Sequence, residues 1–289
     1  MEQPDAQDTT DQPNVKKPKI ALIGLGSLNR DVFKALSQPE GSSPDDWAYD
    51  IKVFLRSRQL RKEPLPDGLT SVDSVQRLLD WRPDLIIEAA SPQAVRDYVP
   101  LCLSAGCHVL IASVSAFVDP LLSEQIFRTA QRGEGRVLIP SGAIGGLDYL
   151  AALKESGHEI TLAYQARKPL ATWSNELRAQ GVDPDTLTEP YVIFQGSAQQ
   201  AIERFSTRLN VAATLALVGA GMQKTLVQVV VDPDIAANEH HVKVTSSLGQ
   251  MSIKLVNEPS PAGTGTSWIV AQSIIAAVQK RFSSHFAIA

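Results

Sequence analysis

The sequence predicts an α/β protein in which a doubly wound parallel sheet is followed by a second, α+β domain with a mostly antiparallel sheet. Between residues 19 and 142, short apolar runs alternate with helical patterns, as in a parallel sheet with helices on both faces. After residue 142, apolar runs follow one another with fewer helices between them. The length of 289 residues also favours two domains over one.

Five strands and four helices are predicted for the first domain, residues 19–142. Each strand is a short, mostly apolar run, and each helix has apolar residues three and four positions apart. The predicted strands are 20–23, 51–55, 85–89, 108–112 and 136–139. The predicted helices are 27–36, 72–81, 92–104 and 121–132. Residues 1–18 are polar and acidic, and we interpret them as a disordered tail.

The second domain is predicted to span residues 143–265. Its predicted strands are 160–164, 226–231, 241–245 and 251–256, and the last two form a hairpin with a turn at 247–249. Its predicted helices are 147–156 and 211–219, the second with Asn210 as its N-cap. A final helix at 267–281, within the segment 266–289, is apolar on one face and is expected to pack back against the first domain.

Composition and charge exclude several classes of partner. The net charge of −4 and the pI of about 5.8 leave no basic excess for binding nucleic acid or an anionic membrane. No run approaches the roughly 18 apolar residues of a membrane span, and the polar composition of the N-terminal residues leads us to expect no secretory or transit signal. Cys102 and Cys107 lie five residues apart, which is no zinc pattern. We therefore expect two buried thiols, no metal site and a reducing, cytoplasmic location.

A glycine turn between the first strand and the first helix indicates a dinucleotide site. Gly24 allows the tight turn, and Gly26 lets the backbone approach a pyrophosphate. The N–H groups of Ser27 and Leu28, at the start of the helix, face the same anion. Asn29 occupies the place of the third glycine of the motif, which weakens the signal and is expected to loosen the packing of helix on strand. The alternative is a strand–helix turn without a ligand.

The residues after the second strand favour NADP. An acidic residue there would bind the ribose 2′-hydroxyl of NAD, but this chain has Arg56 and Ser57, followed by further cations. Cations and a hydroxyl suit a 2′-phosphate, so we predict that NADP is accepted as well as NAD. The alternative is a solvated basic loop.

Three further segments are expected to face the cofactor or the substrate. Small residues follow the third and fourth strands at the ligand-binding edge of the sheet, although the serines there also suit helix or turn caps. A glycine-rich segment at 140–148 joins the domains, either beside the ligands or as a plain hinge. A histidine pair in the second domain suits proton transfer, or alternatively lies at a solvated strand edge. A basic turn in the same domain suits carboxylate binding, or alternatively is a surface turn. The candidate residues are Ala90, Ser91, Ser113, Ala143, His240, His241 and Lys168.

Several longer blocks identify a family. They read HVLIASVSAFVD, PSGAIGGLDYLAAL, RKP with Trp173, FQGSAQQAIERF, LNVAATLALVGAG and DPDIAANEHHVKV, in this order along the chain. Together they resemble the bacterial and archaeal L-aspartate dehydrogenases over nearly the whole chain after residue 18. The insert between Gly41 and Trp47 is longer than is usual in that family and touches no predicted site.

The resemblance implies a Rossmann domain, and an α+β domain whose sheet builds a homodimer. It also implies the oxidation of L-aspartate with NAD(P)⁺ and water, through iminosuccinate, to oxaloacetate and ammonium. By resemblance, Ala143 and Asn210 contact the cofactor, and the Asn-x-His triplet that begins at Asn238 makes His240 the catalytic residue. His240 would take the proton of the substrate amine or activate the water that hydrolyses the imine. Lys168 is a weaker candidate for binding a substrate carboxylate.

Two other functions fit the same sequence features. One is an NADP-linked reductase or dehydrogenase of another small keto or imino acid, because the same architecture serves several such enzymes. The other is a dinucleotide-binding sensor without turnover, against which the intact Asn-x-His triplet argues. A panel of keto acids with ammonia and reduced cofactor would separate the three.

Overall fold

The first sheet has six strands, all parallel, in the order β3-β2-β1-β4-β5-β6. The computed structural model describes residues 16–37, 43, 47–55, 64–261 and 266–282. Central strands of the sheet are buried on both faces, which explains their continuous apolar runs. The strands are β1 (Lys19–Ile23), β2 (Asp50–Phe54), β3 (Thr70–Val72), β4 (Leu85–Glu88), β5 (Val109–Ile111) and β6 (Val137–Leu138).

Four helices connect these strands and begin at local signals in the sequence. The Ser91 side chain accepts a hydrogen bond from Ala94 N at the start of α3, and Asp119 caps α4 in the same way. Both α3 and α4 begin with a proline, which has no N–H group and so leaves no unpaired donor at the first position of the helix. The helices are α1 (Ser27–Leu36), α2 (Val75–Asp80), α3 (Pro92–Ser104) and α4 (Pro120–Arg132).

The second sheet has five strands in the order β11-β10-β7-β9-β8, and only its β7–β9 pair is parallel. The strands are β7 (Thr161–Pro169), β8 (Tyr191–Ser197), β9 (Leu226–Asp232), β10 (Asn238–Ser246) and β11 (Gly249–Asn257). The helices of this part are α5 (Leu147–Glu155), α6 (Leu170–Arg178), α7 (Ala198–Phe205) and α8 (Asn210–Val218), with a 3-10 turn at Ser206–Leu209. One hydrophobic cluster joins the α3–α4 side of the first sheet to these helices.

The last helix, α9 (Ile269–Phe282), lies against the first sheet. Its buried residues Ala271, Ile274 and Val278 share a hydrophobic cluster with residues of β1, β2 and α1. Among the residues described above, no helix is long and apolar enough to cross a membrane.

The predicted fold class is confirmed, and several details differ from expectation. The basic turn expected at residues 167–169 is wrong, because these residues form the end of β7, and β10 begins at Asn238 rather than at residue 241. β3 was not predicted because it has only three residues, two of them polar. The helix expected from residue 72 begins at Val75, since Ser74 caps it. β8, α6 and α7 were not predicted either. The prediction that Asn210 caps its helix is wrong: Leu209 holds the N-cap position, and the Asn210 side chain bonds elsewhere. The predicted tail lies almost wholly outside the described residues, and the boundaries of the two domains stay a prediction.

Candidate active site

A cavity of about 460 Å³ lies between the two sheets, at the carboxyl ends of β1, β4 and β5. Ligands of open α/β sheets bind along this edge. Most of the candidate residues from the sequence line it, although they come from distant parts of the chain. These residues are Gly26, Ser27, Leu28, Ala90, Ser91, Ser113, Ala143, Lys168, Asn210, Asn238 and His240.

The two glycines of the turn serve different purposes. Gly24 has φ +80°, and a Cβ there would lie 2.6 Å from the Cβ of Ala90. This position therefore requires glycine both for its backbone and for its close packing. Gly26 precedes α1 with no side-chain cap, and a Cβ built on it would meet no atom within 4 Å. The start of α1 thus opens onto free space in the cavity, as an anion site at a helix N-terminus requires.

Asn29 ties the turn to the helix. It is completely buried, and its Nδ2 donates to Ile23 O at 3.1 Å and to Gly24 O at 2.8 Å. The expectation that Asn29 loosens the packing of helix on strand is therefore wrong, since its amide holds the end of β1 against α1.

Glu88, at the end of β4, organises the next part of the cavity wall. Its Oε1 accepts from Ala90 N (2.8 Å), Ser91 N (3.0 Å) and Ser113 Oγ (3.0 Å), and its Oε2 accepts from Ser113 N (3.2 Å). Burial raises the pKa of Glu88, and these four hydrogen bonds act in the opposite direction. The Ser113 side chain therefore bonds to Glu88 and caps no helix, whereas Ser91 both lines the cavity and caps α3.

Asn210 and Ala143 face the same space from the second half of the chain. Asn210 Oδ1 accepts a hydrogen bond from Ser115 N at 3.0 Å, which links α8 to the segment after β5. The carbonyl of Ala143 accepts from Asn257 Nδ2 at 2.9 Å, which holds the glycine-rich segment against β11.

His240 lies on β10 and is almost fully buried, with 2% of its surface exposed. Its Nδ1 is 2.7 Å from the hydroxyl of Tyr164 on β7, and the two rings stack with an interplanar angle of 12°. Its Nε2 is buried and bonds to no described residue. Burial lowers the pKa of His240 to about 3, with smaller contributions from the nearby Lys168 and His241, so the ring is neutral at neutral pH.

Lys168 on β7 and Asn238 on β10 are joined by a side-chain hydrogen bond. Lys168 Nζ donates to Asn238 Oδ1 at 3.1 Å, and 7% of Lys168 is exposed. Burial lowers the pKa of Lys168 to about 8, with a further contribution from Arg208. Arg167, the other cation of the predicted turn, binds Asp232 and does not line the cavity. His241 bonds to Glu239 and is likewise outside it.

Arg208 and Tyr164 in the cavity wall, and Glu88 behind it, were not predicted from the sequence. Arg208 lines the cavity, lies over the ring of Trp173 at 4.4 Å and forms an ion pair with Glu176. Tyr164 was overlooked although it is four residues before Lys168, and the two-residue period of a strand puts both on one face. No sequence motif marked Glu88, because its hydrogen-bond partners come from two loops that are far apart in the sequence.

Two candidates for NADP recognition, Arg56 and Ser57, lie outside the described residues. The described residues also contain no group of three or more His, Cys, Asp or Glu side chains that could hold a metal ion.

The fold and the cavity define a Rossmann-type dinucleotide-binding protein with a polar, partly cationic pocket next to the dinucleotide site. The free space at Gly26 and the uncapped start of α1 fit a pyrophosphate, and the cavity continues from there to His240.

Comparisons with known proteins identify the family. Residues 148–281 match the profile of the aspartate dehydrogenase C-terminal domain, and residues 24–140 match that of the homoserine dehydrogenase NAD-binding domain. L-aspartate dehydrogenase 2 of Bordetella bronchiseptica is 42% identical over 267 residues, which is 92% of this chain and 97% of that protein. L-aspartate dehydrogenase of Acinetobacter baumannii is 32% identical over 259 residues, 90% of this chain and 95% of that protein.

A solved structure supports the same family assignment. The crystal structure of aspartate dehydrogenase from Thermotoga maritima has a TM-score of 0.73 and 26% identity, and the match covers 94% of this chain and 100% of that one. The chain belongs to the L-aspartate dehydrogenase family of oxidoreductases, and its first half is an NAD-binding domain.

Proposed function

We propose that this protein oxidises L-aspartate with NAD⁺ or NADP⁺ to iminosuccinate, which water converts to oxaloacetate and ammonium, and that it catalyses the reverse reaction. The observation that carries this proposal is that the start of α1, Asn210 and the buried His240 all line one cavity. The curated relatives named L-aspartate dehydrogenase support the choice of substrate.

The nicotinamide dinucleotide would be held by two groups of residues. Gly24, Gly26, Ser27 and Leu28 would bind its pyrophosphate through the close backbone and the start of α1. The nicotinamide end would lie against a second set of residues further along the cavity. That set is Ala90, Ser91, Ser113, Ala143 and Asn210. When bound, the dinucleotide accepts the hydride of the substrate.

The substrate would occupy the part of the cavity formed by β7 and β10. L-Aspartate carries two carboxylates and an amine, which require cationic and hydrogen-bonding partners. Arg208 and Asn238 would supply partners for the carboxylates, and Lys168 and His240 would lie next to the amine and the reacting carbon. A positioned group of this kind contributes about 10²–10⁴-fold to the rate. His240→Ala should lower kcat by at least about 10²-fold and leave the Kd for reduced cofactor nearly unchanged; an unchanged kcat would remove His240 from the mechanism.

The experiment that tests the function is a reductive amination assay. Oxaloacetate and ammonia are mixed with NADPH or NADH, and the loss of reduced-nicotinamide absorbance is followed. Consumption that depends on both oxaloacetate and ammonia supports the proposal. Turnover of a different keto acid but not of oxaloacetate, or cofactor binding without turnover of any keto acid, would contradict it.

We also propose that NADP is accepted, because Arg56 and Ser57 follow β2 where an NAD-specific enzyme has an acidic residue. The relative KM values test this proposal, and a KM for NADPH more than about tenfold above that for NADH would refute it.

A homodimer built through the second sheet is the proposed assembly. The face of this sheet opposite the cavity carries the exposed apolar residues Val192, Leu226 and Val256, which a second copy would cover. Light scattering in solution tests it, since a monomer mass would contradict it. The two free, buried cysteines support the proposed cytoplasmic location.

A further inference from the structure

β7 and β10 present alternate side chains to the cavity. Tyr164 and Lys168 lie on one face of β7. The register pairs Ala166 with His240, and Lys168 Nζ donates a hydrogen bond to Asn238 Oδ1 on β10. The small side chain of Ala166 lies between Tyr164 and Lys168, so His240 stacks on Tyr164 without obstruction. Two possible acid–base groups, His240 and Lys168, therefore face the same space.

The hydrogen bond to Tyr164 determines which nitrogen of His240 carries the proton and which one is available to the substrate. Among the described residues, the buried Tyr164 hydroxyl has only His240 Nδ1 as a hydrogen-bond partner. If Nδ1 carried the proton, the phenol O–H would be a buried donor without an acceptor, which is costly. The phenol therefore donates to Nδ1, and Nε2 carries the proton of the neutral ring. In this tautomer His240 is a hydrogen-bond donor and has no lone pair to accept a proton from the substrate.

Lys168 has no carboxylate partner. Among the described residues its Nζ bonds only to Asn238, and the titratable groups that line the cavity with it are Arg208, His240 and Tyr164. Glu239 points to the opposite face of the sheet, where it approaches Arg167. A buried lysine surrounded by cationic or neutral groups loses its proton more easily than an exposed one, and the pKa of Lys168 is lowered to about 8.

We propose that Lys168, rather than His240, accepts the proton of the substrate ammonium group, while His240 donates its Nε2–H to a substrate oxygen. The N–H bond of the substrate breaks, and the proton joins the neutral amine of Lys168 to form an ammonium. The substrate amine keeps the electron pair of that bond, and this pair forms the second C–N bond of the protonated imine as the hydride leaves Cα for the nicotinamide dinucleotide. This assignment rests on the proposed function and divides its acid–base task between two residues.

Lys168→Arg separates this role from carboxylate binding. Arginine keeps the positive charge but does not lose its proton in proteins. If Lys168 is the proton acceptor, Lys168→Arg lowers kcat for L-aspartate oxidation by about 10²-fold or more while KM changes by only a few fold. The rise of kcat/KM with pH, expected near pH 8 in the wild type, disappears as well. A kcat within about threefold of the wild type would overturn the proposal, and Lys154→Arg is the matched surface control.

Rescue of Lys168→Ala gives a second activity test. Small primary amines should restore turnover in proportion to the concentration of their neutral form. Rescue that follows the charged form would assign Lys168 to carboxylate binding and would overturn the proposal. Retained binding of reduced cofactor shows that each variant is folded.

Competitive acylation of the wild-type protein measures Lys168 directly and needs no turnover. The rate of acylation, read by peptide mass spectrometry, should follow a titration with its midpoint near pH 8. A midpoint at the ordinary lysine value of about 10.4 would overturn the proposal. If the wild type does not turn over L-aspartate at all, the proposed function fails, whereas an active Lys168→Arg enzyme refutes only the role of Lys168.

Discussion

Tyr164→Phe removes one oxygen and keeps the ring that stacks on His240. The lost bond is 2.7 Å long, and both side chains are 2% exposed. A hydrogen bond between uncharged groups makes a net contribution of about 1 kcal/mol to the free energy of unfolding, and a buried acceptor left without a donor costs about 1–3 kcal/mol. We therefore expect the free energy of unfolding to fall by about 1–3 kcal/mol.

The same substitution changes the tautomer of His240. If the phenol favours the Nε2–H form by about 1.4 kcal/mol, its removal takes the ratio of tautomers from about 10:1 to near 1:1. Since half of the molecules would still have the productive tautomer, kcat should fall only about twofold.

Nitrogen NMR of the His240 ring is the decisive assay for this effect. The wild type should show a protonated Nε2 and an unprotonated Nδ1, and Tyr164→Phe should show a mixture. A protonated Nδ1 in the wild type would refute the reasoning. Tyr98→Phe is the control, because Tyr98 packs edge-on against Phe54 away from the cavity and should leave the His240 signals unchanged.

Other substitutions test the turn and the buried lysine. Gly24→Ala should destabilise the protein by about 1–3 kcal/mol, because its Cβ would lie 2.6 Å from that of Ala90. Gly26→Ala should change stability by less than about 0.5 kcal/mol and still weaken cofactor binding at least about tenfold; normal binding would contradict the pyrophosphate site. Asn29→Gly should cost about 2–3 kcal/mol in chemical denaturation, since two hydrogen bonds are lost and a glycine enters a helix; a neutral result would show that they contribute nothing. The pKa of Lys168 is about 8 in the folded protein, below its ordinary value of 10.5. The free energy of unfolding therefore rises with pH between these two values, and below about pH 8 the cost of burying the ammonium applies in full. Lys168→Met should therefore stabilise the protein by about 1–3 kcal/mol at pH 7 and less at pH 10, and destabilisation at pH 7 would contradict the burial of an unpaired ammonium.

Local patterns were enough to predict much of the fold and part of the site. The apolar runs predicted β1, β4 and β5 because these strands are buried on both faces, and the glycine turn marked the start of α1 correctly. β3 was missed because its three residues carry no apolar pattern. Asn29 was misjudged because the value of its amide depends on two carbonyls at the end of β1, which no spacing rule describes.

The same limit applies to the chemistry of the site. The Asn-x-His triplet indicated His240, but its neutral state follows from burial, which sequence does not show. The environment of Lys168 depends on long-range packing as well, since Arg208 comes from a distant turn and Asn238 from a neighbouring strand. Tyr164 was also overlooked, although the alternation of side chains along one strand would have been sufficient to group it with Lys168.

The most direct test of the proposed function is the oxidation of L-aspartate by the purified protein, with NAD⁺ and NADP⁺ in separate reactions. We expect reduced nicotinamide and oxaloacetate to form in equal amounts, with ammonium released and with much slower turnover of other amino acids. Binding of the cofactor with no oxidation of L-aspartate by either form would contradict it.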